Sequence, residues 1–243
     1  MRASRGDNAE MVIEAAGDAV GRVQSFPLHE TGSPAFDELL GGGYRGGTLT
    51  EFFGRSNSGK SQLAMQAALV AARAGMKSLY VDTEGAFRPE RIEEIARSRG
   101  WDTKGALEKI VYARSDSSSE QMEAVRRMAA RAATSACRLV IVDTLTRNFS
   151  LDLPGRGNLS SRQGALDVHL SEMARDAYLY GRAYVLTNRV TFGATRDVGI
   201  GGRTVAQLIG TSVLLEKSQD RIKATVIPGG KTAWAPVGPF GVG

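Results

Sequence analysis

The eight residues Gly54-Arg55-Ser56-Asn57-Ser58-Gly59-Lys60-Ser61 constrain this chain more than any other feature. They satisfy the pattern G-x-x-x-x-G-K-S/T and lie between an apolar run, Leu49 to Phe53, and an amphipathic segment that starts at Lys60. That flanking is the strand, turn and helix context a phosphate-binding loop requires. Glycines let the backbone curl so that successive N–H groups and the helix N-terminus face phosphate oxygens. The lysine reaches the β and γ oxygens, and the hydroxyl joins Mg²⁺. ATP with Mg²⁺ is therefore the expected ligand, with Lys60 on the terminal phosphates and Ser61 on the metal. The alternative, a chance glycine-rich turn, is left little room by the two flanks.

Magnesium in such a site needs a second oxygen donor at the end of a neighbouring buried strand. Leu139-Val140-Ile141-Val142-Asp143 supplies one in Asp143, although an aspartate there could also cap the following turn. Hydrolysis further requires a group that orients or deprotonates water. Glu84 follows the apolar run Leu79-Tyr80-Val81-Asp82 and has that chemistry, but Asp82-Thr83-Glu84-Gly85 also reads as a helix-capping turn. The residues alone leave both readings open.

From Gly47 onward, strand-length apolar runs alternate with helical patterns. Strands are predicted at 49–53, 78–82, 110–113, 139–143 and 183–187, and helices at 60–74, 89–99, 118–134 and 160–180. The alternation predicts an α/β fold, a mostly parallel sheet with helices on both faces. Segments 212–216 and 221–227 alternate and are expected to close one edge as an antiparallel pair. Polar loops are expected at 146–157 and 190–203, and an irregular tail over 228–243, where glycine and proline are frequent. Residues 1–25 read as a short, mostly polar helical leader and 26–243 as one domain.

The net charge of +5 favours a polyanionic partner. No run approaches the roughly 18 apolar residues of a membrane span, and no export signal opens the chain, so a cytoplasmic protein without a membrane partner is expected. The single cysteine, Cys137, excludes an internal disulfide. His29 and His169 lack companions at metal-ligand spacing, so no zinc site is expected.

Taken together, Asp82-Thr83-Glu84-Gly85-Ala86-Phe87-Arg88-Pro89-Glu90-Arg91, the entry Leu49-Thr50-Glu51-Phe52-Phe53-Gly54, and Leu39-Leu40-Gly41-Gly42-Gly43 resemble the RecA-type recombinases of archaea and eukaryotes. Gly155-Arg156-Gly157 and Ser161-Arg162-Gln163 resemble that family's first DNA-binding loop, and Gly199-Ile200-Gly201-Gly202 the end of its second. The resemblance implies a RecA-like ATPase core acting in DNA recombination and repair, bound to single-stranded DNA at the nucleoid, with ATP between subunits of an oligomer or filament. It implies that Glu84 activates water, that Gln62 continues the phosphate loop and that Arg91 stacks on adenine, as a planar guanidinium can. It also places Arg147, Arg156, Arg162, Arg196 and Arg203 on DNA, with Gly201 and Gly202 allowing close approach.

Two departures stand out. The leader before Phe26 is too short for the family's N-terminal helix-hairpin-helix domain, which brings the chain closer to the core-only archaeal paralogues called RadB, although the arginine-bearing first loop looks closer to RadA. A mediator assisting a full-length recombinase and a RecA-fold ATPase not acting on DNA are the alternative functions. Thr187-Asn188-Arg189-Val190 stands where the family has TNQV. That glutamine is associated with the γ-phosphate, and Arg189 cannot accept a hydrogen bond as glutamine can. Arg189 could touch the γ-phosphate or uncouple hydrolysis from DNA binding.

Overall fold

The computed structural model describes residues 14–130, 137–192 and 197–243. Among them, a ten-stranded sheet runs in the order β12-β11-β10-β9-β3-β7-β6-β4-β5, with β8 paired to β7. Its parallel part comprises β9 (Thr211–Ser218), β3 (Leu49–Gly54), β7 (Ala183–Phe192), β6 (Cys137–Asp143), β4 (Lys77–Asp82) and β5 (Ile110–Arg114). Antiparallel pairing through β10 (Arg221–Ile227), β11 (Thr232–Gly238) and β12 (Gly241–Val242) extends one edge. A separate two-stranded sheet pairs β1 (Leu28–His29) with β2 (Tyr44–Arg45).

The central strands are nearly continuous in apolar residues because both faces are covered. Successive side chains leave a strand on opposite faces, and β6 shows it. Leu139 and Ile141 join one core with α3 (Lys60–Arg73) and α4 (Pro89–Ser98), while Val140 and Val142 join the other with α6 (Ser118–Ala130) and α8 (Leu159–Tyr180). At the far edge, β5 leaves Val111 and Tyr112 exposed.

Three expected irregular regions carry more structure than composition implied. The tail 228–243 contains β11 and β12, because Ala235 and Val242 pack into the core despite the surrounding glycines and prolines. The first loop holds a short helix, α7 (Arg147–Asp152), whose Phe149 is buried. In the second, β7 continues to Phe192, β8 (Asp197–Gly199) pairs back on it, and α9 (Gly202–Leu208) follows. The leader's helix is α1 (Ala16–Ser25); residues 1–13 of that predicted leader lie outside the described residues, as do 131–134 of the predicted helix 118–134. Shorter elements absent from the sequence reading are β1, β2, α2 (Pro34–Leu40) and α5 (Lys104–Leu107).

Candidate nucleotide site and neighbouring loops

Sheet register assembles the site. Gly54 pairs with Arg189 across β3 and β7, Asp82 pairs with Asp143 across β4 and β6, and all four stand at the carboxyl end of the parallel strands, where such sheets hold ligands. Gly54, Arg55, Ser56, Asn57, Ser58 and Gly59 form the turn between β3 and α3, with Asn57 at φ 63° and Gly59 at φ 97°. A Cβ on Gly59 would lie 2.4 Å from Ile222 Cδ1, so backbone freedom and closeness to β10 both require glycine there.

Lys60 folds back over this turn. Its Nζ donates to the carbonyl oxygens of Gly54 at 3.0 Å and Arg55 at 2.7 Å, and lies 3.4 Å from Ser58 Oγ. Burial lowers its pKa, and the nearby carboxylates of Asp143 and Glu84 partly restore it. Gln62 follows half-buried, with Nε2 lacking a hydrogen-bond partner among the described residues.

Asp143 is 1% exposed. Its carboxylate accepts from Tyr80 at 2.8 Å and from the Thr187 hydroxyl, and it is hydrogen-bonded to Ser61. Burial pushes its pKa up against those hydrogen bonds. A buried carboxylate beside a hydroxyl is a hard-oxygen pair suited to Mg²⁺, which takes one or two protein oxygens and completes its shell with water and phosphate. The residues present therefore fit the metal, and Ser61 and Asp143 are the pair that would hold it.

Asp82 shapes the loop that carries Glu84. One oxygen accepts the backbone N–H groups of Glu84, Gly85 and Ala86 at 3.0, 2.8 and 3.1 Å, and the other accepts Phe87 N–H at 3.2 Å and Tyr112 OH at 3.1 Å. Asp82 thus organises a turn, but it does not cap a helix as that reading expected: its backbone partners all precede α4, whose N-terminus carries no side-chain cap. The Glu84 carboxylate meets Arg189, whose Nε and Nη2 both approach Oε1, at 3.0 and 2.8 Å. Arg91, on α4, donates to the carbonyls of Gly238 at 2.5 Å and Pro239 at 3.3 Å and pairs with Glu94.

The loop arginines divide. Arg156 is exposed beside Gly155, which has φ 80°. Arg162, in the first turn of α8, donates to Leu153 O at 3.1 Å. Arg147, half-buried, donates to Thr83 O at 2.6 Å, next to the start of the Glu84 loop. At the end of the second loop, Gly201 has φ 106°, and a Cβ there would lie 3.1 Å from Leu166, so this end of the loop packs against α8. Gly202 opens α9 with nothing near its missing side chain. Arg203 falls in α9, and Arg196 lies outside the described residues.

Sequence reasoning missed Asn188 and Glu51. Asn188 Nδ2 donates to Glu51 Oε1 and to Ile200 O, each at 2.7 Å, and its Oδ1 accepts from Thr146 Oγ1 at 2.7 Å. Glu51, 2% exposed, also accepts from Ser212 at 3.0 Å, and burial raises its pKa. The available signal was a carboxylate in the otherwise uncharged strand Leu49-Thr50-Glu51-Phe52-Phe53.

A P-loop turn after β3 and a buried aspartate at the end of β6, both at the carboxyl end of one parallel sheet, form an α/β core of the nucleotide-binding P-loop class. The Rad51 family model matches residues 24–231, and the chain belongs to that family. It is 33% identical over 255 aligned positions to the DNA repair and recombination protein RadA of Aeropyrum pernix, covering 93% of this chain and 80% of that protein. It is 38% identical over 205 positions to the protein of the same name from Ignicoccus hospitalis, covering 78% of this chain and 63% of that one. Among the described residues no helix is long and apolar enough to cross a membrane.

Proposed function

We propose that this chain is a DNA-dependent ATPase of homologous recombination and repair, binding Mg²⁺-ATP at the P-loop and single-stranded DNA along the two loops. The observation that carries the reading is the convergence of Lys60, Ser61, Asp143 and Glu84 at one end of the sheet. Lys60 and the loop N–H groups hold the phosphates, Ser61 and Asp143 hold Mg²⁺, and Glu84 takes the proton of the attacking water. When bound there, Mg²⁺ would supply charge neutralisation to the phosphates. Gln62 adds a donor near the phosphates, and Arg91 stacks on the adenine.

Arg156 and Arg162 hold the DNA backbone, with Arg196 and Arg203 in support, and Gly201 and Gly202 let the second loop approach closely. The protein works in the cytoplasm at the nucleoid and assembles with copies of itself, with ATP between subunits. A second reading, a RadB-like mediator with slow turnover that assists a full-length recombinase, is favoured by the ion pair between Arg189 and Glu84.

Binding of a fluorescent ATP analogue tests the site. Lys60→Ala is expected to abolish Mg²⁺-dependent binding, whereas Glu84→Gln keeps binding and suppresses turnover. Unimpaired binding by Lys60→Ala would count against the nucleotide assignment.

A further inference from the structure

We propose that Arg189 is a positioning residue that throttles ATP hydrolysis by holding the Glu84 carboxylate away from the attacking water. The proposal rests on the reading of Glu84 as the water-activating group.

Both guanidinium contacts fall on one oxygen. Arg189 Nε and Nη2 lie 3.0 and 2.8 Å from Glu84 Oε1. In hydrolysis, the water oxygen bonds to the γ-phosphorus as the bridging β–γ P–O bond breaks with its electron pair leaving on ADP, and the water proton passes to a carboxylate. An oxygen already accepting two charge-assisted N–H groups is a poor acceptor for that proton. The carboxylate must leave the pair or act through Oε2.

The main chain of Arg189 is fixed on both sides. Its N–H donates to Asn188 Oδ1 at 2.9 Å, and its carbonyl accepts from Ile200 N–H at 2.9 Å. Register places it beside Gly54 at the start of the P-loop. The side chain therefore reaches Glu84 from an anchored strand, and the Glu84 loop is anchored in turn by Asp82. Two fixed platforms hold the pair, while the pair itself stays partly open to solvent, with Arg189 55% and Glu84 26% exposed. A contact of that exposure is weak enough to break in each cycle. It acts as a brake on turnover and leaves hydrolysis possible.

The same arginine also stands within electrostatic reach of Lys60. A direct contact between Arg189 and the terminal phosphate would make it a catalytic group with the opposite effect on rate, and kinetics separate the two.

The test is steady-state ATP hydrolysis at varied Mg²⁺-ATP by the full chain as wild type, Arg189→Gln, Arg189→Met, Glu84→Gln and the double variant Glu84→Gln with Arg189→Gln. Both Arg189 variants are expected to raise kcat about fivefold, the factor for releasing a pair of this exposure, with KM changed by less than about twofold. In the Glu84→Gln background, Arg189→Gln is expected to change nothing. A lowered kcat or a raised KM in both Arg189 variants would show that the guanidinium serves the phosphate and would overturn the proposal, as would an unchanged kcat. Wild-type turnover in Glu84→Gln alone would instead remove the reading of Glu84 on which it rests.

Discussion

Asn188 joins Glu51 to the second loop: one amide nitrogen donates to Glu51 Oε1 and to Ile200 O, each at 2.7 Å. Since Asn188 Oδ1 also accepts from Thr146, ahead of the first loop, a single amide ties both loop bases to the strand that becomes the P-loop. A buried amide in this position is costly to remove because its partners stay behind unpaired.

Asn188→Ala is expected to destabilise the fold by about 2 kcal/mol, the scale for leaving buried polar partners unsatisfied. Urea unfolding followed by circular dichroism measures it. A midpoint unchanged from wild type would mean that the amide is dispensable to the loop bases.

Arg156 and Arg147 are expected to behave differently, because one is exposed and the other donates to Thr83 O at 2.6 Å. In single-stranded DNA binding measured across salt concentrations, Arg156→Ala is expected to flatten the slope of log affinity against log salt by about 0.7, the value of one phosphate contact. Arg147→Ala is expected to leave the slope unchanged and to lower stability by about 1 kcal/mol through the lost hydrogen bond. A flattened slope in Arg147→Ala would place that residue on DNA after all.

Stability should depend on His169, buried against Phe149 with neither ring nitrogen hydrogen-bonded among the described residues. Burial pushes its pKa from 6.5 down to about 3, with Arg126 adding to the effect. The unfolded chain then takes up the proton first. The contribution of His169 is whole above pH 6.5 and is lost as pH falls from there toward 3, at up to about 1.4 kcal/mol per pH unit. His169→Leu, which keeps an apolar side chain of similar size, is expected to flatten stability against pH between 6 and 4. An identical pH dependence in the variant would contradict this assignment.

Much of the site was legible because its elements are local. The P-loop is eight consecutive residues, and Asp143 ends an unbroken apolar run, so spacing alone marks both as candidates, while the buried contacts of Asp143 with Tyr80, Thr187 and Ser61 were not legible. What sequence reasoning could not reach comes from register between distant strands. Arg189 was visible as a departure from the family pattern, but its partner Glu84 is 105 positions away and is brought near only when β4, β6 and β7 align. Arg147 reads as one more loop cation until α7 turns it toward Thr83. The tail was read as irregular because Gly229, Gly230, Pro236 and Pro239 are turn formers, yet Ala235 and Val242 still find the core.

The most direct measurement is ATP hydrolysis by the purified chain with and without single-stranded DNA at low salt, with Lys60→Ala as the control for contaminating activity. Turnover that DNA stimulates and Lys60→Ala abolishes is the expected result. Turnover that survives in Lys60→Ala, or that DNA leaves unchanged, would contradict a DNA-dependent ATPase.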